Sequence, residues 1–335
     1  MSIFFSIKSK ALTIKKISTQ KYKLGLEKID IKNVKKNEVI IKVHYSSLNY
    51  KDILLCSGNL GLVRKYPHVP GIDAAGVIIK SNSKKFQVGE KVLVVARTMG
   101  VSTFGGLSEY VKVPSQWVEK IPKKLSLKKS MIFGTAGFTA QMAIFKLLNK
   151  DLKKNSLPIL VSGSTGGVGS MAVFMLSKLG YKVSALTSNL KNSLFLKKIG
   201  ANEIVDIKKF LSAPNMPLLK IRFSGIIDNL GGEIISVGLK QIADDGQIIS
   251  IGNVLNENIN TSLLPLILRG VQITGINAES ASLTMRKKIW KEISKVSNYN
   301  DLNFLYKECQ LNDVINYIEK VKSNKHLGRI IVKIK

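Results

Sequence analysis

The chain has 335 residues, 45% of them hydrophobic, and 52 lysines and arginines against 22 acidic residues give it a formal charge of +30. That is enough apolar material for two domains with cores of their own, while two distant cysteines, Cys56 and Cys309, argue against a disulfide scaffold and a zinc ribbon. The basic residues come as scattered doublets such as Lys15-Lys16, Lys84-Lys85 and Lys197-Lys198, so they read as a solvated surface that attracts polyanionic small molecules rather than as a nucleic-acid face.

The opening MSIFFSIKSK has a short apolar stretch without a cleavable signal core and reads as a first strand. No apolar run is long enough to span a bilayer, so a reducing cytoplasm is the expected address. Up to about residue 125 the pattern has period two, broken by turns at Pro70-Gly71, Val88-Gly89 and Gly105-Gly106. Val39, Ile41, Val43 and Tyr45 alternate with Ile40, Lys42 and His44, as in a strand buried mainly on one side. Ala75–Lys80, Lys91–Val95 and Leu107–Val113 are further strand candidates, which together make a small β barrel or sandwich.

Near Ser130 the pattern changes. Met131–Leu148 has the length of a helix and is too apolar for an exposed one. Strand and helix then alternate through Ile159–Ser162, Gly167–Leu179, Lys182–Thr187, Leu190–Ile199 and Glu203–Val205. A second set follows: Gly225–Asp228, Glu233–Ile242, Gln247–Ile251, Leu263–Leu268 and Val271–Ile276. Apolar strands alternating with helices predict a parallel sheet covered on both faces. After a helix over Met285–Val296, short strands return at Tyr306–Leu311 and Arg329–Ile334 around a helix over Asp313–Val321. The expected organisation is a dinucleotide-binding α/β domain, residues 129–302, inserted into a β-rich domain made of residues 1–128 and 303–335.

The strongest local signal is Ser162-Gly163-Ser164-Thr165-Gly166-Gly167-Val168-Gly169, with an apolar strand before it and an apolar helix after it. Glycines let the backbone turn sharply and approach a pyrophosphate, and the helix start offers free N–H groups to the phosphates. Ser164, Thr165, Gly166, Gly167, Val168 and Gly169 are therefore candidate cofactor contacts. The second strand ends on Thr187-Ser188-Asn189-Leu190-Lys191, where an NAD enzyme places an acid for the ribose hydroxyls. Thr187, Ser188, Asn189 and Lys191 instead suit a 2′-phosphate, which favours NADPH. Lys191 reads equally well as a solvated first-turn lysine.

Three further stretches carry a family resemblance: Ser46-Ser47-Leu48-Asn49-Tyr50-Lys51-Asp52, Pro70-Gly71-Ile72-Asp73-Ala74-Ala75-Gly76 and Gly134-Thr135-Ala136-Gly137-Phe138-Thr139-Ala140. With the glycine loop and the closing Gly328-Arg329-Ile330-Ile331-Val332-Lys333, the whole chain resembles the medium-chain dehydrogenase/reductase superfamily. Within it the resemblance is to the quinone oxidoreductase-like branch, and most of all to acryloyl-CoA reductases. It implies a Rossmann domain inserted in a GroES-like catalytic domain, a two-fold dimer joined through the last Rossmann strand, and an acyl-CoA substrate. Zinc members place a cysteine where Asn49 stands and a His-Glu pair where Ile72-Asp73 stands. His44, His68 and His326 lack ligand spacing, so no metal is expected.

The resemblance also implies site residues. Tyr50 is the candidate donor to substrate or nicotinamide, against a reading as a core tyrosine. Asn49 and Asp52 would orient it or the nicotinamide ribose, Asp52 reading equally as a surface-turn acid. Thr139 would contact cofactor or simply pack. Gly252, Asn253, Asn277 and Ala278 follow the ends of late parallel strands, where open α/β sheets bind ligands. Asn324 enters by family position only, against a reading as a loop asparagine. Related acryloyl-CoA reductases put an arginine in the turn held here by Thr187-Ser188-Asn189. A quinone or enone reductase and a non-catalytic NADPH-binding protein are the other open readings.

Overall fold

The structure is a computed structural model that describes residues 6–18, 21–58, 63, 65–149 and 157–335. The first five residues of the expected opening strand lie outside the described residues. The chain divides into two compact units, Met1–Thr135 with Tyr306–Lys335, and Ala136–Leu305.

The first unit opens with an antiparallel hairpin of β1 (Ser6–Lys16) and β2 (Tyr22–Lys32), paired from Ser6 opposite Lys32 to Lys16 opposite Tyr22. Next come β3 (Glu38–Leu48), the short helix α1 (Tyr50–Cys56), β4 (Ala74–Ser81), β5 (Lys91–Val94), β6 (Tyr110–Pro114) and β7 (Glu119–Lys120). Helix α2 (Leu127–Leu147) follows, broken at Gly134, whose φ of 49° and ψ of −154° are not helical. The pattern expected one helix from Met131; the chain makes a bent one starting four residues earlier. Only glycine fits at the break, since a Cβ on Gly134 would lie 2.4 Å from Asp73 Oδ2.

The second unit is the expected alternation. It runs β8 (Ile159–Val161), α3 (Gly167–Lys178), β9 (Val183–Thr187), α4 (Ser193–Lys198), β10 (Glu203–Asp206), α5 (Ile207–Leu211) and β11 (Phe223–Asp228). It continues with α6 (Glu233–Gln241), β12 (Ile242–Ser250), α7 (Leu264–Arg269), β13 (Gln272–Gly275) and α8 (Leu283–Val296). The six strands are parallel in the order β10-β9-β8-β11-β12-β13. Every residue of β11 is buried, as expected of a central strand covered on both faces, whereas β13 stands exposed at the edge. The core of the unit gathers Leu160, Leu186, Phe223, Ile226, Ile234 and Ile248.

The chain then returns to the first unit through β14 (Tyr306–Gln310), α9 (Val314–Lys322) and β15 (Arg329–Lys333). Strand β15 pairs antiparallel with β3, which also pairs with β4 and β6 and is the spine of a seven-stranded sheet. Ile40 is buried as fully as Val39 and Ile41, so this part of β3 is covered on both faces where the alternation predicted one buried face. No helix among the described residues is long and apolar enough to cross a membrane.

Candidate functional site

Parallel pairing puts the carboxyl ends of β8, β9, β11, β12 and β13 along one edge of their sheet, and most of the residues singled out in the second unit lie there. β8 runs into the glycine loop, where Gly163 has φ +57° and Gly166 is the N-cap of α3. A Cβ on Gly169 would fall 2.2 Å from the carbonyl oxygen of Gly163, so this glycine is what lets helix and loop close on each other. At Gly166 the nearest obstacle is the same oxygen at 3.3 Å, so that position is open apart from its own loop. The amides of Gly167, Val168 and Gly169 are first-turn donors with no intrahelical acceptor. Ser164 is buried, and its hydroxyl donates to the Val161 carbonyl at 2.6 Å, bracing the loop.

The loop is braced from beneath. Ser162 Oγ donates to Asp228 Oδ1 at 2.6 Å and accepts the Asn229 amide at 2.8 Å. Asp228 also accepts the amides of Leu230 (3.2 Å) and Gly231 (2.8 Å). Burial raises its carboxyl above the ordinary range, and these hydrogen bonds pull it back. Asn229 Nδ2 donates to the Ser162 carbonyl at 2.8 Å, which leaves Asn229 Oδ1 buried with no partner.

At the end of β9, Thr187 is buried and its hydroxyl accepts the Asn189 amide at 3.2 Å, while Asn189 Oδ1 accepts the Lys191 amide at 3.0 Å. Ser188, Asn189 and Lys191 stand exposed beside one another, so three of the four proposed 2′-phosphate residues present themselves to a ligand. Gly252 is half-buried and Asn253 exposed after β12. Asn277, exposed after β13, caps a short turn by accepting the Glu279 amide at 3.1 Å, with Ala278 half-buried beside it. Thr139 is buried within α2.

The first unit holds the other candidates. Asn49 is the N-cap of α1, and its amide donates to Asp52 Oδ2 at 2.9 Å. Asp52 Oδ1 accepts the amides of Gly71 and Ile72, both at 3.0 Å. Asp52 is thus no surface-turn acid and cannot touch substrate: it is fully buried and clamps the helix start to the Gly71-Ile72 turn. Burial, with the Asp73 charge adding and the amide donors opposing, pushes its carboxyl up to about 7. Tyr50, the first residue of α1, is 52% exposed, which overturns its reading as a core tyrosine.

Beside this clamp lies a buried ion pair that the sequence did not reveal. Arg329 donates to the carbonyls of Leu48 (3.1 Å) and Ile132 (3.2 Å), to Asn49 Oδ1 (3.1 Å) and to Ser47 Oγ (2.7 Å), and sits 3.6 Å from Asp73 Oδ2. Asp73 in turn accepts Asn49 Nδ2 (2.9 Å), Ser47 Oγ (2.5 Å) and the Thr135 hydroxyl (2.5 Å). Two of the three residues standing where zinc relatives hold ligands, Asn49 and Asp73, are therefore committed to one another around a fixed guanidinium, which opposes a second cation there. Among the described residues no group of three or more His, Cys, Asp and Glu converges. Asn324 is exposed with φ +54° and ends α9, its amide donating to the Val321 carbonyl at 3.0 Å.

The Alcohol dehydrogenase GroES-like domain family matches residues 35–123, and the Zinc-binding dehydrogenase family matches residues 167–295. The putative quinone oxidoreductase YhfP of Bacillus subtilis is 36% identical, covering 91% of this chain and 93% of the relative. Its structure with NAD bound superimposes with a TM-score of 0.92 at 34% identity, over 98% of this chain and 100% of that one. The probable acrylyl-CoA reductase AcuI of Escherichia coli is 32% identical over 92% of this chain and 95% of its own. The yhdH oxidoreductase of Salmonella enterica, in complex with NADP, superimposes with a TM-score of 0.92 at 32% identity, covering 97% of this chain and 100% of that one.

Proposed function

The chain belongs to the medium-chain dehydrogenase/reductase superfamily, in the branch that contains the quinone oxidoreductases and acrylyl-CoA reductases, and from that premise we propose that it reduces the C=C bond of an acryloyl-CoA-type thioester. It is an oxidoreductase with NADPH as its cofactor. The residues present fit that group. At Gly166 the space before the helix start is open, the nearest atom to an added Cβ being the Gly163 carbonyl oxygen at 3.3 Å, and the first-turn amides of α3 suit a pyrophosphate. Ser188, Asn189 and Lys191 offer hydroxyl, amide and ammonium to a 2′-phosphate, with no acid among them.

The chemistry NADPH supplies when bound is a hydride, here for the β-carbon of the alkene. Negative charge then develops on the thioester oxygen and needs a placed donor, whose removal costs about 2.7–4 kcal/mol of barrier in comparable sites. The phenol of Tyr50 fills that role. It is half-exposed on a helix start that Asp52, Asn49 and Arg329 brace from within. That exposed phenol on a clamped turn is the observation that carries the reading. The α-carbon takes its proton from water or a side chain.

A quinone or enone acceptor is the second reading, favoured by the higher identity to YhfP than to AcuI. The expected assembly is a cytoplasmic two-fold dimer through the edge strand β13, where Ile273 exposes its side chain, as do Leu263, Ile267 and Leu268 at the preceding helix. The decisive assay follows NADPH consumption with acryloyl-CoA, crotonyl-CoA and a quinone panel. Acryloyl-CoA should be consumed, with deuterium from C4-labelled NADPH on the β-carbon of propionyl-CoA. Turnover of quinones alone would replace the substrate with the second reading.

A further inference from the structure

We propose that His326 is a second donor to the thioester oxygen, offering the N–H of its outward ring nitrogen at the helix start that carries Tyr50. The proposal deepens the thioester reading and rests on it. Its starting point is a contrast among the three histidines. His44 donates through Nδ1 to the Lys42 carbonyl at 3.1 Å, and His68 through Nε2 to the Gly100 carbonyl at 2.7 Å. His326 makes no hydrogen bond among the described residues. Its Nδ1 is buried with no partner, and Nε2 is the nitrogen of this half-buried ring that reaches the surface.

The pairing of β15 with β3 fixes where that ring stands. Ile330 lies opposite Leu48, which brings Arg329 level with Asn49 and Gly328 level with Tyr50. Arg329 bears out the register by donating to the Leu48 carbonyl and to Asn49 Oδ1, both at 3.1 Å. The loop from Asn324 to Gly328 therefore runs past the start of α1. Both its ends are fixed: the Lys325 amide donates to the Lys320 carbonyl at 2.8 Å, and Gly328 turns into β15 with φ +65°. Burial first, and the Arg329 charge second, hold the imidazole below the ordinary histidine value, so the ring is neutral at neutral pH. A neutral imidazole carries one proton. The enclosed Nδ1, in the field of the guanidinium, keeps its lone pair, and the proton sits on Nε2, facing out. Such an N–H is a poor acid, but it polarises a carbonyl well as charge develops on the oxygen. The oxygen has a second lone pair, which leaves room for this donor beside the Tyr50 phenol.

The test compares His326→Leu and His326→Gln with wild type on acryloyl-CoA at saturating NADPH. Removing one oxyanion donor lowers kcat by about 100- to 1,000-fold, and the leucine variant should lose that factor with KM nearly unchanged. Glutamine offers an amide N–H but no transferable proton, and it should recover to within about tenfold of wild type, the worth of one imperfect neutral hydrogen bond. Glutamine as inactive as leucine would make His326 the acid that protonates the α-carbon, and unchanged kcat in both would give it no part in the step. Either result overturns the proposal. NADPH fluorescence titration and Tm should match wild type in both variants. A loss of NADPH affinity as large as the loss of kcat would make His326 a cofactor contact and would overturn the proposal as well. A wild type that reduces quinones but leaves acryloyl-CoA untouched would overturn the thioester reading, and this proposal with it, whatever the variants do.

Discussion

Two alanine substitutions three residues apart should separate folding from cofactor binding. At Gly169 an added Cβ would sit 2.2 Å from the Gly163 carbonyl oxygen and 2.9 Å from Ser164 Cα. An ordinary carbon–oxygen contact is about 1 Å longer, and the obstacle is backbone, so α3 and the loop must move apart by about that amount. Overpacking of this kind costs about 1–3 kcal/mol, which is roughly 2–4 °C of Tm for each kcal/mol in a domain of this size. At Gly166 the only neighbour within 4 Å is that same oxygen at 3.3 Å, and φ of −79° suits any residue. Alanine is a poorer N-cap than glycine but loses less entropy on folding, and the two nearly cancel. Gly166→Ala should therefore melt within about 1–2 °C of wild type, yet its methyl group stands where the pyrophosphate approaches the helix start, weakening NADPH at least about tenfold. Gly169→Ala should lose stability as well as affinity. Differential scanning fluorimetry and NADPH fluorescence titration read the two quantities. A destabilised Gly166→Ala, or a Gly169→Ala with wild-type Tm, would refute the assignment of one glycine to ligand approach and the other to packing.

Three further outcomes follow from the first unit. Tyr50→Phe should leave Tm unchanged, because the residue is half-exposed, and should lower kcat on the thioester more than it raises KM; an unchanged kcat would remove Tyr50 from the mechanism. Arg329→Leu should cost about 3–5 kcal/mol by stranding Asp73, and Arg329→Lys should restore less than half of that, since one ammonium cannot serve four acceptors. A lysine variant as stable as wild type in denaturant titration would contradict this. Asp52, raised from its ordinary 3.8 to about 7, binds its proton more tightly folded than unfolded. Its contribution to stability is thus full below its unfolded value and is lost as pH rises through about 7, with a slope approaching about 1.4 kcal/mol per pH unit. Asp52→Asn should flatten that part of the stability–pH curve, and an identical slope in wild type and variant would show that Asp52 does not titrate there.

What was legible in the sequence depended on how locally each constraint acts. The glycine loop is readable because its requirement, no Cβ between strand and helix, concerns adjacent residues. The alternation of β8 to β13 with helices is readable because parallel strands are apolar along their whole length. Strand β2 escaped notice because its apolar residues change faces midway: Tyr22, Leu24 and Leu26 share one side, Ile29 and Ile31 the other. Helix α1 has seven residues, too few for a periodic signal, although Asn49 followed by Asp52 three residues later was a readable start. The Asp73–Arg329 pair lay beyond reach, because only the return of β15 to β3 brings those residues together. Ser164 and Thr187 were assigned by position in a motif, which does not say which way a hydroxyl turns.

The buried guanidinium of Arg329 also changes how the basic composition is understood. All but six of the 52 basic residues are lysines, and the described residues with buried side chains include two arginines, Arg286 and Arg329, but no lysine. Arg269 likewise spends its side chain on three carbonyls, those of Leu219, Lys240 and Ile242. At Arg269 and Arg329 a planar fork meets several oxygens at fixed angles, which a lysine ammonium cannot do. In a chain so rich in one cation, the rarer one works as a marker: Arg269 and Arg329 point to places where shape rather than charge is selected, and a lysine at either would leave carbonyls without donors.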